Sequence, residues 1–378
     1  MTADLRQSGL QLQSLVTSSG TLQLELVDVA NPIPGPDEVL VKVEAAPLNP
    51  SDILLLLGVA DLSTARAAGT PDHPALLCDV PPAGLRAMSA RLDKPLTAGN
   101  EGAGEIVAAG VNVSNALGMR VAMFGGEMYA QYRCLKLADC MVLPVGATSM
   151  DGASSFVNPL TALGMIETMR SEGHAALVHT AAASNLGQML VKICLKDQIG
   201  LVNVVRSAGQ AETLRNLGAR YVCDSSADTF MADLIEAVAA TGATIAFDAV
   251  GGGKLAGQIL TAMEVAINRS LKTYSPYGSS VHKQVYIYGG LDMRPTQLAR
   301  GFGTAWGIGG WLLFPFLQKH GAEGVARLQA RISAELTTTF ASHYTKKISL
   351  REAIDPEIAS AWSRRATGEK FLIVPNKI

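Results

Sequence analysis

The sequence predicts an α/β fold, in which a doubly wound parallel sheet is joined to a second, mostly-β domain. From about residue 175 onward, short apolar runs alternate with amphipathic helical patterns, which is typical of a parallel sheet covered by helices. In the N-terminal third, short strand-like runs separated by glycine turns predict a small barrel or sandwich. We therefore expect one domain at residues 1–150, completed by about 342–378, and a second at 151–341.

The N-terminal domain is predicted from short runs that have the alternation or apolar content of strands. These runs are Val39–Ala45, Gly102–Val113, Arg120–Phe124 and Tyr129–Cys134, and Phe371–Pro375 is a further strand that returns to this domain. The interval 53–98 instead holds Ala- and Leu-rich pieces, which predict helices around Pro-containing turns.

The second domain is predicted from strands and helices that follow one another in regular alternation. The predicted strands begin at Ala175 and lie at Gly200–Arg206, Tyr221–Cys223, Thr244–Gly252 and Gln284–Gly290. The helices predicted between them lie at Gln188–Leu195, Glu212–Ala219 and Ser226–Ala240. In such sheets, ligands bind at the carboxyl ends of the strands.

The segment Ala175–Gly187 reads as a buried strand that runs into a turn of small residues before a helix. Ala182, Ser184 and Gly187 stand at the three positions of the GxGxxG fingerprint. Backbone N–H groups and the helix dipole at such a turn attract a dinucleotide pyrophosphate, although small residues there also serve packing. The cofactor contacts predicted in the turn are Ala182, Ala183, Ser184, Asn185, Leu186 and Gly187. Those predicted in later strand-end loops are Val250, Gly251, Tyr288, Gly289 and Gly290.

The end of the second parallel strand indicates which cofactor binds. NAD-preferring folds usually carry an acidic residue there, whereas here Val205 is followed by Arg206 and Ser207. A guanidinium suits a phosphate dianion, so we expect NADP(H), with both residues on its 2′-phosphate. The alternative is that Arg206 is only a solvated loop cation.

Composition narrows the class of partner. The net charge is −2 over 378 residues, which offers no broad attraction to nucleic acid or to an anionic membrane. The apolar stretch Phe302–Leu317 is shorter than a membrane span and rich in glycine, so we expect a buried or interface segment. The N-terminus lacks the features of a signal peptide, and the cysteines form no CxxC pair, so we expect a cytoplasmic protein.

The order of motifs resembles the medium-chain dehydrogenase/reductase superfamily, in its zinc-independent quinone oxidoreductase and 2-enoyl thioester reductase branch. The motifs that carry the resemblance are Asn49–Asp52, Gly99–Glu105, Gly118–Ala122, Asn158–Ala162, the cofactor turn, Phe247–Gly252, Tyr288–Gly290 and Lys370–Pro375. The resemblance implies a GroES-like catalytic domain, a Rossmann domain, a cofactor in the cleft between them, and a homodimer that acts on a small molecule.

The resemblance also implies the residues of the substrate cleft. Zinc-dependent members carry Cys and His where Asn49 and Asn100 stand here, and amides are poor zinc ligands, so we expect no metal. The cleft would be lined by Asn49, Asp52, Thr161 and the loop 124–129, and Thr161 would also contact the cofactor.

The candidates for a chemical role are Asn49, Tyr129 and Thr161. Enoyl thioester reductases place a tyrosine acid after the Asn-Pro-Ser-Asp run, but no tyrosine occurs between Ser51 and Gly99. Tyr129 could offer a hydroxyl, or could pack in a strand with an exposed tip. Asn49 could hydrogen-bond substrate or water, or could only fix the turn before Pro50.

The expected function is zinc-independent, NADPH-dependent hydride transfer to a quinone or an α,β-unsaturated carbonyl. The alternatives are a 2-enoyl thioester reductase and a member that binds the cofactor without catalysis. The interval 53–98 is long for the family, so we expect it to cover the cleft entrance with Asp72 or His73, or else to be a remote surface elaboration. Strand Val285–Tyr288 and the segment Trp306–Trp311 are the expected subunit contacts.

Overall fold

The computed structural model describes residues 8–272, 275–364 and 368–377. The chain divides into two compact units, of which unit 1 runs to Val157 and resumes at Arg331, and unit 2 spans Asn158–Ala330. The sequence placed these boundaries after residues 150 and 341. No helix within the described ranges has the length and apolar character needed to cross a membrane.

Unit 1 consists mainly of β-strands. Its elements are β1 (Ser8–Val16), β2 (Thr21–Ala30), β3 (Glu38–Pro47), α1 (Pro50–Leu57), β4 (Asp61–Gly69), β5 (Pro74–Asp79), α2 (Pro82–Ala87), β6 (Leu96–Thr97), β7 (Glu101–Ala109), β8 (Arg120–Phe124), β9 (Tyr132–Lys136), β10 (Cys140–Val142) and α3 (Ser149–Gly152), with short 3₁₀ segments at Ser89–Arg91, Val111–Ala116 and Leu137–Asp139.

Two sheets build the core of unit 1. One has the strand order β4-β5-β2-β1-β6, and the other contains β10-β8-β7-β3 with β9 also paired to β3. Alternate residues of β1 and β2, such as Leu12, Leu22 and Leu24, are buried in one apolar cluster. This period-2 burial matches the pleat of antiparallel strands that cover one core.

The interval 53–98 corrects a prediction, because its central part is a β-hairpin instead of helical pieces. Strands β4 and β5 pair antiparallel, and β5 continues onto β2. The tight turn at Thr70–His73 closes the hairpin, with Thr70 N donating to His73 O at 3.0 Å. Only α1 and the short α2 are α-helical in the interval, so the apolar content reflects strand burial against β2.

Unit 2 alternates strands and helices, as the sequence predicts. Its elements are α4 (Val157–Ser171), β11 (Ala176–Thr180), α5 (Asn185–Asp197), β12 (Gly200–Val205), α6 (Ala208–Asn216), β13 (Tyr221–Asp224), α7 (Phe230–Thr241), β14 (Ile245–Asp248), β15 (Gly251–Gly253), α8 (Leu255–Asn268), β16 (Lys283–Ile287), β17 (Asp292–Thr296), β18 (Trp306–Gly310) and α9 (Leu313–Ala334), the last passing the unit boundary.

The central sheet of unit 2 is parallel and has the order β13-β12-β11-β14-β16-β18. The order reverses between β11 and β14, which is the place where doubly wound sheets bind ligands. Val178, Val202, Ala246 and Val285 form the floor of its core beneath α7 and α8. The predicted fold class, a mostly-β domain joined to a doubly wound parallel sheet, is confirmed.

Strand β18 forms one edge of this parallel sheet. Strand β16 pairs with β14 on one side and with β18 on the other, so it is not an edge strand, and the expected subunit contact at Val285–Tyr288 stays a prediction. Val285 itself is fully buried. The expected contact at Trp306–Trp311 coincides with this edge strand and stays a prediction.

The chain returns to unit 1 after α9. The returning elements are β19 (Lys346–Ile348), α10 (Leu350–Ala353), α11 (Pro356–Ser363) and β20 (Phe371–Ile373). Strand β20 pairs with β3 and with β19, so the C-terminal strand extends the second sheet of unit 1. This agrees with the strand predicted at Phe371–Pro375.

Candidate functional site

The small-residue turn after β11 packs closely against the helix that follows it. Ser184 is the N-cap of α5, and its Oγ accepts the Gly187 amide at 3.1 Å. Ala181 has φ +50°, a left-handed backbone conformation that is uncommon for residues other than glycine. A Cβ on Gly187 would lie 2.1 Å from Ala182 O, so α5 packs against the turn only because that side chain is absent.

Two buried side chains join the loops that follow β11 and β14. Thr180 Oγ1 donates to Asp248 Oδ1 at 2.7 Å and accepts the Ala249 amide at 2.8 Å. The Asp248 carboxylate also accepts the amides of Val250 and Gly251. The sequence motifs included Asp248 but did not indicate its role. The signal that could have indicated this role is its position as the last residue of a buried strand.

The glycine loops after β14 and β16 approach each other closely. A Cβ on Gly251 would lie 2.7 Å from Gly289 O, and one on Gly289 would lie 2.6 Å from Ala249 O. Beside them, Tyr288 OH and His179 Nε2 are 2.8 Å apart. Burial lowers the pKa of His179 to about 3, so its ring is neutral near pH 7. The structure thus gathers the predicted contacts Val250, Gly251, Tyr288, Gly289 and Gly290 at the carboxyl end of the sheet.

Arg206 and Ser207 lie at the same end of the sheet, because they directly follow β12, which is the parallel neighbour of β11. Ala182 N donates to Val204 O at 3.2 Å, which ties the turn to the end of β12. Ser207 is the N-cap of α6, and the Arg206 side chain is exposed beyond it. An exposed guanidinium after this strand would suit a phosphate on a bound dinucleotide, and that role of Arg206 stays a prediction. Thr161 is buried in α4 of the same unit, and its predicted role stays a prediction.

A second set of polar residues lies buried inside unit 1. Asn49 is the N-cap of α1, and its Nδ2 donates to Glu101 Oε1 at 2.8 Å. Asp52 in the first turn of α1 accepts the amides of Asn49 and Asn100 on its two oxygens. Glu101 Oε2 accepts the amides of Phe156 and Val157. We call Asn49, Asp52, Glu101 and the half-buried Lys370 the buried polar cluster.

Desolvation controls the ionisation of the buried polar cluster. Burial raises the pKa of Asp52 to about 7 and also raises the pKa of Glu101, against the lowering effect of their hydrogen bonds. Burial lowers the pKa of Lys370 to about 8, while Glu101 and Asp52 oppose that shift. Asp52 and Lys370 are therefore the two groups of the cluster whose pKa values are shifted toward neutral pH.

Lys370 is the cation of this cluster and was not among the predicted site residues. Its Nζ donates to Ser154 Oγ at 2.7 Å and lies 5.5 Å from the centre of the Tyr344 ring, whose OH also contacts Ser154. The motif Lys370–Pro375 was recognised in the sequence, but a single lysine before a strand gives no sign of the carboxylates that it faces.

Tyr129 does not have the exposed tip that strand packing suggested. The side chain is completely buried, and its OH donates to Pro47 O at 2.9 Å. Burial, followed by the nearby Asp52 charge, raises the pKa of its phenol well above the ordinary value. The hydroxyl is thus committed within unit 1, which corrects the expectation that it serves as a proton donor to substrate.

Asn49 retains one unsatisfied atom. Its Oδ1 is buried and finds no hydrogen-bond partner among the residues that the structure describes. An unpaired buried acceptor costs free energy, so a donor from substrate or water would be stabilised there. Asn100 instead donates from Nδ2 to Ser51 Oγ at 3.0 Å. Over the described ranges, no grouping of three or more His, Cys, Asp or Glu side chains could hold a metal ion.

Asp72 and His73 lie in the tip of the hairpin formed by β4 and β5. The Arg351 guanidinium donates to the carbonyl oxygens of Pro71 and Asp72, at 2.5 and 3.2 Å. His73 Nε2 lies 4.0 Å from an Asp28 carboxylate oxygen. These contacts fix the tip to other parts of unit 1, and the proposed role at a cleft entrance stays a prediction.

The chain is similar to known proteins in sequence and in fold. The alcohol dehydrogenase GroES-like domain family matches residues 35–153. The chain is 27% identical over 229 residues to the synaptic vesicle membrane protein VAT-1 homolog of Rattus norvegicus, covering 60% of this chain and 49% of that protein. It is 31% identical over 209 residues to the mitochondrial enoyl-[acyl-carrier-protein] reductase of Caenorhabditis elegans, covering 53% and 52%. The chain thus spans about half the length of these curated relatives.

A solved structure matches over nearly the whole chain. It is the crystal structure of a candidate NADPH:quinone reductase from Mesorhizobium loti, which is 26% identical, with a TM-score of 0.72. The match covers 99% of this chain and 100% of that one. Both units are therefore shared with that protein, including the parallel sheet that carries the small-residue turn.

Proposed function

The chain belongs to the medium-chain dehydrogenase/reductase superfamily, and from that premise we propose that it is an NADPH-dependent oxidoreductase. It would transfer hydride to a quinone or to an α,β-unsaturated carbonyl compound without zinc. The observation that carries the proposal is the turn after β11, where the missing side chain of Gly187 lets the N-terminus of α5 pack against the turn, while Arg206 is exposed after the neighbouring strand.

The residues of unit 2 fit NADP(H). The turn supplies backbone amides at the N-terminus of α5, and the Thr180–Asp248 pair fixes the loop beside it. Arg206 and Ser207 follow β12, at the position where the 2′-phosphate is read. Bound NADPH supplies the hydride. The protein's part is to hold the ring, exclude water and orient the acceptor.

Two residues remain candidates for contact with substrate. Asn49 is proposed because its Oδ1 is an unpaired buried acceptor, and Thr161 is proposed only from its position in α4. With Tyr129 committed to Pro47 and no tyrosine between Ser51 and Gly99, we infer that the proton reaches the product from water or from a cofactor hydroxyl. Quinone reduction suits such a site, because hydride transfer leaves a hydroquinone monoanion, which needs one further proton and takes it readily from solvent.

Zinc independence, self-association and location belong to the same proposal. The Asn49 amide is already bonded to Glu101 and the Asn100 amide to Ser51, and neither group is a good zinc ligand. We propose a homodimer that uses the edge strand β18, near which Leu312 and Phe314 are 65% and 58% exposed. The cysteines of the chain are free thiols, which favours a reducing compartment such as the cytoplasm.

Cofactor titration followed by turnover assays tests the proposal. Fluorescence titration should show tighter binding of NADPH than of NADH, and NADPH oxidation should then be followed with a quinone series and with 2-enoyl thioesters. Turnover of quinones supports the proposal, whereas turnover of thioesters alone would assign the chain as an enoyl thioester reductase. Tight NADPH binding without turnover in either series would identify a binding protein that lacks catalysis, and no binding of either nucleotide would reject the proposal.

A further inference from the structure

Unit 2 contains a cavity at the end of its sheet where the strands begin, opposite to the end that carries the cofactor turn. Its volume is about 190 Å³, and it lies where the end of α5 meets the beginnings of β12 and β13. Val191, Leu195, Ile199 and Leu201 supply apolar walls. Gly200 and Tyr221 are the first residues of their strands, whereas the cofactor loops follow the last residues of the strands. This cavity is therefore separate from the proposed nucleotide site.

The floor of the cavity contains a polar side chain, Asn203, with one atom that lacks a hydrogen-bond partner among the described residues. Asn203 is 1% exposed, and its Nδ2 donates to Tyr221 O at 3.1 Å. Its Oδ1 is buried and finds no hydrogen-bond partner in the described part of the chain. In the parallel register, Asn203 stands beside His179, whose Nδ1 is also buried and without a partner there. Buried polar atoms in native proteins nearly always have partners, so this floor calls for a donor.

The rim of the cavity carries a cation. The Arg220 guanidinium carbon lies 5.3 Å from the centre of the Tyr221 ring, which orients the exposed group at the opening. Across the described residues, no carboxylate forms an ion pair with Arg220. A planar guanidinium held on an aromatic ring is suited to a ligand carboxylate.

Size restricts what can occupy this space. A single water takes about 30 Å³, and pockets for drug-sized ligands begin at about 300 Å³, so the cavity suits a molecule of about ten non-hydrogen atoms. We propose that it binds a small amphipathic carboxylate that carries an O–H or N–H donor at its far end. The donor bonds to Asn203 Oδ1, the apolar body contacts Leu195 and Leu201, and the carboxylate meets Arg220. Phenolic carboxylates have this arrangement of groups.

Calorimetric titration of the full chain saturated with NADPH tests the site, with 4-hydroxybenzoate as the probe. Benzoate lacks the donor, and phenol lacks the carboxylate, so each should bind about tenfold more weakly than the probe. Asn203→Leu should weaken the probe about tenfold and leave benzoate unchanged. Arg220→Gln should weaken the probe similarly and leave phenol unchanged.

Matched variants keep the result interpretable. Arg215→Gln and Asn216→Leu replace exposed residues of the neighbouring helix α6 and should leave probe binding unchanged. Unchanged NADPH affinity shows that each variant is folded, and Arg220→Gln alone decides the matter if Asn203→Leu fails to fold. No binding of the probe to the native protein, or binding that both variants leave intact, overturns the proposal. Equal affinity for all three probes also overturns it, since the polar groups would then not be recognised.

Discussion

Thr180 donates its hydroxyl hydrogen to Asp248 at 2.7 Å, and both side chains are fully buried at the point where the strand order of the parallel sheet reverses. The same hydroxyl accepts the Ala249 amide, and the carboxylate accepts two further amides of the following loop. One side-chain pair therefore holds the loops on both sides of the crevice in which doubly wound sheets bind nucleotides. The cofactor turn depends on a contact that is not itself part of the glycine fingerprint.

Asp248→Ala should lower the free energy of unfolding by about 3 kcal/mol, because it leaves a hydroxyl and buried amides without an acceptor. The loosened loops should also weaken NADPH binding at least tenfold. Urea denaturation and fluorescence titration measure the two effects. Asp228→Ala, which removes an exposed carboxylate, is the control and should change neither. Wild-type values for Asp248→Ala would show that the pair does not position the loops.

Gly187→Ala should be severely disruptive, because the added methyl would lie 2.1 Å from the backbone oxygen of Ala182. The start of α5 would have to move away from the turn, with a loss of stability of about 1–3 kcal/mol and loss of NADPH binding. Gly209→Ala in α6 is the matched control, since a Cβ there meets nothing within 4 Å. The control should be stabilised by about 0.5 kcal/mol through helix propensity. NADPH affinity equal to wild type in Gly187→Ala would contradict the assignment of the turn.

Much of unit 2 could be predicted because its local signals agree with one another. Apolar strands, amphipathic helices and small residues at the strand ends all indicate a parallel sheet, and the structure has strands at each predicted position. The eroded fingerprint was still readable because Gly187 occupies the position where packing tolerates no side chain. The partners of Thr180 and His179 could not be predicted, since they depend on which strands become neighbours.

Unit 1 was harder to predict because its strands are short and their pairing is non-local. Strands β1 and β2 carry a clear alternation, Leu10-Leu12 and Leu22-Leu24-Leu26 around the turn at Gly20, but neither strand was predicted. The hairpin of β4 and β5 resembled helices because alanine and leucine favour helices in isolation, and pairing with β2 overrides that preference. Tyr129 is buried only because Pro47 and Asp52 come together from distant parts of the chain.

Arg206→Gln should weaken NADPH binding by about 10- to 100-fold and leave NADH nearly unchanged, because a charge-assisted bond to the 2′-phosphate is lost. Titrations with both nucleotides at two salt concentrations measure the effect, and the difference should shrink at high salt. Arg215→Gln removes another exposed arginine and should leave the ratio of the two affinities at its wild-type value. Equal losses for the two nucleotides in Arg206→Gln would assign Arg206 to the solvated surface.

The buried polar cluster should make stability depend on pH through Asp52. Burial raises the pKa of Asp52 from 3.8 to about 7, so between these values the folded protein keeps a proton that the unfolded chain has released. Raising the pH from 4 to 7 therefore removes stability, by at most about 1.4 kcal/mol per pH unit, and the loss from this group ends above pH 7. Lys370 acts in the opposite direction above pH 8, since its lowered pKa of about 8 makes the folded state the first to lose that proton.

Urea denaturation at intervals from pH 4.5 to 8.5 measures this dependence in the native chain and in Asp52→Asn. The variant has no proton to exchange at position 52, so the difference in unfolding free energy between native chain and variant should fall as pH rises to 7 and then stay level. Comparing slopes removes the constant cost of the substitution, which includes the loss of an acceptor for the Asn49 or Asn100 amide. Asp228→Asn corrects for removal of a surface carboxylate. Parallel profiles for the native chain and Asp52→Asn would show that Asp52 is ionised throughout, and that its two backbone amides outweigh the desolvation caused by its burial.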